Sequence, residues 1–256
     1  MIPPETDALA VPTKKPRQKL NKKEDYIIEF NRYPIESQRM GFLPMSVQLL
    51  LQTDNMQSVN PNNRKYLNPE KTTHTLLRYG VEKSSKKSFV ACISDMYAYK
   101  NKLSIVPSIS DMCDIIANAI TLDVFIKCHN GSLISIFRPK KYSLTDIDYS
   151  KYENTDIYKT LDMSNELHIE FLSNLIASYE NFIQFLKNDN SYIDHTYLWD
   201  IVCLPNPNLF KTGCNLAILH IVNKDITDNI EIICPSSRSE EHTSELQSRV
   251  DISYAV

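Results

Sequence analysis

The longest amphipathic segment of the chain, Ser164–Lys187, constrains the fold most. Its apolar residues recur at intervals of three and four, the spacing that places them on one face of an α-helix. That face is broad, so we expect the helix to pack against neighbours on two sides. Nine residues form it: Leu167, Phe171, Leu172, Leu175, Ile176, Tyr179, Phe182, Ile183 and Leu186.

Shorter helices are predicted from their start signals. The signals are a proline suited to a first helical position, hydroxyl side chains that can cap a helix, and an S-x-x-D pair related to the capping box. They place helices from Pro44, from Ser84 or Ser85, after Ser108 with Asp111, and from Thr121 towards Gly131. A further helix is predicted over His195–Leu204, ended by Pro205 and Pro207.

Strands are predicted mainly near the end of the chain. The apolar runs Asn215–Val222 and Ile230–Pro235 flank a polar turn and predict a β-hairpin. An isolated strand pair is marginal, so we expect the hairpin to belong to a truncated sheet. Gly131–Pro139 is also strand-like, whereas the polar stretch Thr53–Thr73 predicts a surface loop. The predicted fold class is α+β, mainly helical.

The last nineteen residues, Arg238–Val256, resemble a translated sequencing adapter. Codons can be chosen for RSEEHTSELQS that reproduce a common short-read adapter. Three codons later, ISYAV matches the continuation of the same adapter at the correct separation. We therefore expect the native part of this chain to end near Ser237. Residues 1–237 are then expected to be the N-terminal part of a longer protein.

Four regions follow from these patterns. They are a flexible basic arm (1–25), a helical N-terminal region (26–142), a truncated region with the long helix and the hairpin (143–237), and the non-native tail (238–256). The arm holds four prolines and few large apolar groups, too little to offset the entropy of ordering it.

Charge and cysteine content restrict the class of protein. Without the tail the totals of 28 basic and 31 acidic residues fall by two and four, which leaves a net charge of −1. The whole chain therefore lacks the strong positive balance of many nucleic-acid-binding proteins. It also lacks a long apolar run and a signal-peptide core, so no membrane span and no secretion are expected. Six widely spaced cysteines predict a reducing, intracellular setting.

Catalytic and metal-binding motifs are missing from the sequence. There is no C-x-x-C, H-E-x-x-H, P-loop or G-x-G-x-x-G pattern, so no metal, cofactor or small-molecule substrate is expected. A Cys–His dyad has no local signature to support it. His195, the most noticeable histidine, is predicted to cap or pack a helix.

Two basic groups are the chemical signal that remains. The first, in the arm, consists of Lys14, Lys15, Arg17, Lys19, Lys22 and Lys23. The second consists of Arg78, Lys83, Lys86 and Lys87. Such clusters can neutralise the phosphates of DNA in a salt-dependent way. The arm can equally serve as a nuclear-import signal or a solubilising tail.

Three phrases carry a family resemblance: NRYPIESQRMGFLPMSVQLLLQTDN (Asn31–Asn55), LLRYGVEKSSKKSFVACISDMY (Leu76–Tyr97) and DHTYLWDIVCLPNPNLFKTGCNLAILHIVNKDITDNIEIICP (Asp194–Pro235). They resemble a family of large proteins from nucleocytoplasmic large DNA viruses, such as mimivirus-like and algal viruses. We associate that family with the large subunit of the poxvirus-type early transcription factor. It offers no motif whose functional residues transfer to single positions here.

The resemblance implies a non-catalytic transcription-initiation subunit. Such a subunit would contact promoter DNA beside a helicase-like small subunit that holds the ATPase, and would recruit viral RNA polymerase. It would act in the viral factory of the host cytoplasm or travel in the virion. The alternative is a virion-packaged structural or interaction protein without a DNA role. A third hypothesis is an enzyme, such as a cysteine-dependent hydrolase.

Overall fold

The computed structural model describes residues 26–68, 75–140, 147–221 and 230–234. Of these residues 47% are helical and 12% lie in strands, which confirms the predicted α+β, mainly helical class. The basic arm, the adapter-like tail and the predicted hairpin turn lie outside the described residues.

The first part of the fold is a small β-rich unit. It contains β1 (Met40–Phe42), α1 (Met45–Leu50), a 3₁₀ turn (Asn55–Ser58), β2 (Val59–Asn60), β3 (Asn63–Leu67) and β4 (Leu77–Tyr79). β1 pairs antiparallel with β4, and β2 pairs antiparallel with β3. Ile27, Phe42 and Val59 form its own small apolar cluster.

The prediction of a surface loop over Thr53–Thr73 was wrong for its first two thirds. Residues 55–67 form the 3₁₀ turn and the β2–β3 hairpin. The side chain of Asn60 accepts the amide of Asn62 at 2.9 Å and closes the turn between the strands. β3 is almost entirely exposed, so its residues carry no apolar alternation by which a strand is recognised.

The second part is a helical body. Its elements are α2 (Ser88–Lys100), α3 (Ile109–Ala119), α4 (Leu122–Lys127), α5 (Ser132–Ile136), α6 (Asp156–Thr160), α7 (Glu166–Lys187) and α8 (His195–Cys203). One large apolar cluster joins them and draws on residues from Val90 to Cys214. The cluster includes residues on both sides of position 142, so the core does not divide where the sequence suggested a regional boundary.

Helix α7 is the centre of this body. It packs against α3, α4 and α5, and this arrangement confirms the predicted contacts on more than one side. Leu172, Ile176 and Phe182 are fully buried. The predicted apolar face was too long, because Leu167 and Phe171 near the start of the helix are 73% and 50% exposed.

Helix starts agree with the predicted caps at two positions. Ser108 and Asp111 form a reciprocal capping box at α3, and the Thr121 hydroxyl accepts the amide of Val124 at α4. α2 begins later than predicted, at Ser88. The Ser84 hydroxyl oxygen accepts the amide of Lys87 at 3.0 Å, so it closes a turn that precedes the helix.

The strand predicted over Gly131–Pro139 is a helix, α5. His129, Asn130 and Gly131 all adopt positive φ angles and redirect the chain after α4. Leu133 and Phe137 then fall four residues apart and point into the core, which is helical spacing. The imperfect alternation in the sequence therefore reflected a short amphipathic helix.

The C-terminal hairpin was predicted correctly. β5 (Ile218–Ile221) pairs antiparallel with β6 (Ile230–Ile233), with Ile218 opposite Ile233. His220 and Glu231 face each other, and their Nδ1 and Oε2 atoms are 3.0 Å apart at an exposed position. No residue of either strand is buried.

Candidate nucleic-acid interface

The chain enters the fold between two strands. The Ile27 amide donates to the carbonyl of Lys65 in β3 at 2.7 Å, and the Ile28 amide donates to the carbonyl of Met40 in β1 at 2.9 Å. Ile28 also accepts the amide of Phe42 at 2.9 Å. These bonds fix the position of Tyr26, the residue at which the basic arm joins the folded part.

Two cations lie against Tyr26. The guanidinium carbon of Arg39 is 4.2 Å from the centre of the tyrosine ring, and its Nη2 donates to the Tyr26 carbonyl at 3.2 Å. Lys65 Nζ is 5.6 Å from the same ring, and this lysine is exposed. Cations within about 6 Å of an aromatic face are attracted by its quadrupole. Positive charge is therefore concentrated around Tyr26, where the arm joins the folded part.

The six predicted arm residues, Lys14 to Lys23, lie outside the described residues. Tyr26, the first described residue, lies against Arg39 and Lys65. Sequence reasoning missed these two residues, because neither belongs to a basic run.

The second predicted basic group does not form one surface. Arg78 is 2% exposed; its Nη2 donates to the Glu29 carbonyl at 2.7 Å, and its guanidinium carbon is 4.4 Å from the Tyr33 ring centre. Lys87 is 4% exposed. These two side chains are structural and do not reach a surface ligand, which corrects their assignment as DNA contacts. Lys83 and Lys86 are exposed, and their role stays a prediction.

A groove separates the hairpin from the helical body. It encloses about 760 Å³ and is lined mainly by apolar residues of α2 and of the hairpin, including Phe89, Ile93 and Ile218. Lys86 lies at its rim, where Nζ donates to the Asn190 side chain at 3.3 Å. Lys86, one of the two exposed lysines of the second basic group, therefore lies beside apolar surface.

Cys92 and Cys128, two of the thiols that could serve as nucleophiles, are buried. Burial and, to a smaller extent, nearby Asp95 raise the pKa of the Cys92 thiol to about 12. Burial and nearby Asp200 raise the pKa of the Cys128 thiol to about 12 in the same way. Thiols with raised pKa hold little thiolate and are poor nucleophiles. His195 packs edge-to-face on Phe89 and Trp199, which confirms its predicted packing role.

The described ranges contain neither a metal-binding cluster nor a helix that could span a membrane. No cluster of three His, Cys, Asp or Glu side chains is arranged to hold a metal ion there. Among the same residues, no helix combines the length and apolar character needed to span a bilayer. All six cysteines are described, and none forms a disulfide.

No known protein family, curated protein or solved structure matches the chain.

Proposed function

We propose that the chain is part of a non-catalytic transcription-initiation factor subunit of a large DNA virus, and that it contacts duplex DNA through its basic arm. The three phrases that resemble the viral family support the viral and transcriptional part of this proposal. A helicase-like small subunit and viral RNA polymerase are the proposed partners. The viral factory or the virion is the proposed location.

The position of Tyr26 is the observation that supports DNA contact. The arm carries six cations within ten residues, and it joins the fold beside Arg39 and Lys65. A tethered basic segment next to fixed cations can follow a phosphate backbone while the folded part sets its starting point. Affinity in this arrangement comes from charge, so sequence preference is expected to be weak.

Binding to a labelled DNA duplex at several salt concentrations tests the proposal. The logarithm of the binding constant should fall linearly with the logarithm of salt concentration, with a slope near −0.9 for each neutralised phosphate. Replacing all six arm cations by glutamine should reduce the slope by up to about 5. Lys65→Gln should reduce it by about 0.9.

Lys102→Gln is the matched control, because Lys102 is an exposed lysine in the helical body, outside the proposed interface. It should leave the slope unchanged. The DNA role is rejected if the intact chain does not bind at low salt, or if the arm and control variants lose affinity equally. Thermal unfolding of each variant shows whether a loss of binding reflects a loss of folding.

The groove beside the hairpin favours a second candidate, a virion interaction protein without a DNA role. An apolar groove of about 760 Å³ next to two strands with no buried residue is a surface on which another chain can pack. An amine-reactive cross-linker applied to purified virions tests it. Links from Lys86 at the rim to another virion protein would support this role, and links confined to this chain would contradict it.

A further inference from the structure

Lys87 and Cys113 form a buried pair of reactive side chains that the proposed DNA role does not use. Lys87 immediately precedes α2, and Cys113 lies in α3. The lysine is 4% exposed and the cysteine 3%. Lys87 Nζ is 3.8 Å from Cys113 Sγ. Within the described part of the chain, this sulfur is the only hydrogen-bond partner of Nζ.

The surroundings of the pair are unusual for a lysine. An ammonium group removed from water normally requires carboxylate or carbonyl partners, because sulfur is a weak acceptor. Burial, Asp114 and Asp189 raise the pKa of Cys113, whereas Lys87 acts in the opposite direction. The fold therefore holds an amine against a thiol from which bulk water is excluded.

We propose that Lys87 and Cys113 are a modification site at which hydrogen peroxide joins the two side chains through a direct sulfur–nitrogen bond, a sulfenamide. A sulfenic acid condenses with a nitrogen nucleophile to give this product. The Lys87 amine lies 3.8 Å from Sγ, and its flexible four-carbon stem allows it to approach the sulfur.

The chemistry balances in two steps. The Cys113 thiol loses its proton, and the thiolate attacks one oxygen of hydrogen peroxide. The O–O bond breaks, the sulfur is oxidised to sulfenic acid, and the departing hydroxide takes up the proton and leaves as one water. The Lys87 ammonium then loses a proton, and its nitrogen lone pair attacks Sγ. The S–O bond breaks, and the departing hydroxide takes a proton from nitrogen and leaves as a second water. One thiol, one ammonium and one peroxide thus give one sulfenamide, two waters and one proton.

The raised pKa of Cys113 affects the rate but not the product. Little thiolate is present at neutral pH, so the first step should be slow and should need sustained exposure to peroxide. The second step is intramolecular and should outpace further oxidation to sulfinic acid. The cross-link would tie the start of α2 to α3 and would make this contact dependent on the redox state.

Peptide mapping by mass spectrometry of the peroxide-treated full chain tests the proposal. The expected product is a tryptic peptide pair joined through Lys87 and Cys113, with a mass lower than the sum of the two peptides by two hydrogen atoms. Trypsin should no longer cleave after Lys87. Treatment with a thiol reductant should abolish the pair and restore the cleavage.

Cys92 and Cys128 are internal controls, because they are buried thiols to which no lysine among the described residues donates a hydrogen bond. They should give no lysine-linked peptide. The proposal is overturned if Cys113 remains a thiol or becomes sulfinic acid while cleavage after Lys87 continues. It is equally overturned if lysine cross-links form at the control cysteines to the same extent.

Lys87→Arg gives a second test, since arginine keeps the charge but does not supply an amine. In this variant peroxide should convert Cys113 to sulfinic acid in place of the cross-link. Because the mapping of the unmodified sequence requires no variant, a failure of Lys87→Arg to fold does not affect the first test. The DNA proposal does not use Lys87, so either proposal can fail alone.

Discussion

The amide of His129 donates a hydrogen bond of 2.6 Å to the Oδ2 atom of Asp200. The bond joins the turn after α4 to α8. His129 has a φ angle of +50°, a conformation that non-glycine residues rarely adopt. The Asp200 carboxylate therefore holds the turn that directs the chain into α5.

Asp200→Ala should destabilise the protein by roughly 1–3 kcal/mol, because it leaves the amide of His129 without its acceptor. Urea unfolding followed by circular dichroism measures the change. Glu170→Ala is the control, since Glu170 is exposed on α7 and should change stability by no more than about 0.5 kcal/mol. Equal effects of the two substitutions would show that the bond does not stabilise the fold.

Phe182→Ala should cost roughly 3–5 kcal/mol, because Phe182 is fully buried between Phe125 and Phe137 and its truncation opens a cavity. Phe171→Ala, on the same helix, removes a ring that is 50% exposed and should cost far less. The same unfolding measurement compares them. A large loss at Phe171 would mean that the start of α7 is covered in solution.

Gly213→Ala should be more harmful than Gly131→Ala, although both glycines have positive φ angles. Left-handed backbone costs roughly 1–2 kcal/mol for a residue with a Cβ atom. At Gly213 that Cβ would also collide with the carbonyl oxygen of Cys203, whereas at Gly131 the nearest atom is 3.6 Å away. The melting temperatures of the two variants show which substitution destabilises the protein more. A larger loss for Gly131→Ala would contradict the described geometry at Gly213.

The pKa of Asp162 should lie below its ordinary value of 3.8, chiefly because the Ser164 hydroxyl and amide donate to its carboxylate. A lowered pKa stabilises the folded state above pH 3.8, and that contribution is lost as the pH falls through the folded-state pKa. Ser164→Ala should move the pKa of Asp162 upward in an NMR titration.

Asp148 provides the matched comparison for Asp162. Its pKa is also lowered, but by the Ser150 hydroxyl and amide and by Lys151. It should therefore be unaffected by Ser164→Ala. A shift of both aspartates in the variant would indicate a general change in structure and would contradict the local explanation.

Local sequence signals predicted the caps of α3 and α4 and the C-terminal hairpin correctly. A capping box needs only Ser108 and Asp111, and the hairpin needs two apolar runs and a turn, so neither depends on distant residues. The β-rich unit could not be predicted in this way. β1 has three residues, and its partner β4 lies beyond another hairpin, so the pairing appears only in three dimensions.

The candidate interface shows the same limit. The basic arm is a local run and was found from the sequence, but Arg39 and Lys65 meet Tyr26 only through folding. Arg78 and Lys87 are charged residues of types that are mostly exposed in proteins. Their burial depends on the Glu29 carbonyl, the Tyr33 ring and the Cys113 sulfur, which belong to other parts of the chain.

The two strands of the hairpin face the helical body across the groove and contribute no residue to its core. Because none of their residues is buried, shifting or exchanging the hairpin would open no cavity among the helices. The body can therefore keep its shape while the hairpin takes a different neighbour. In a larger assembly this segment is the part best suited to be remodelled.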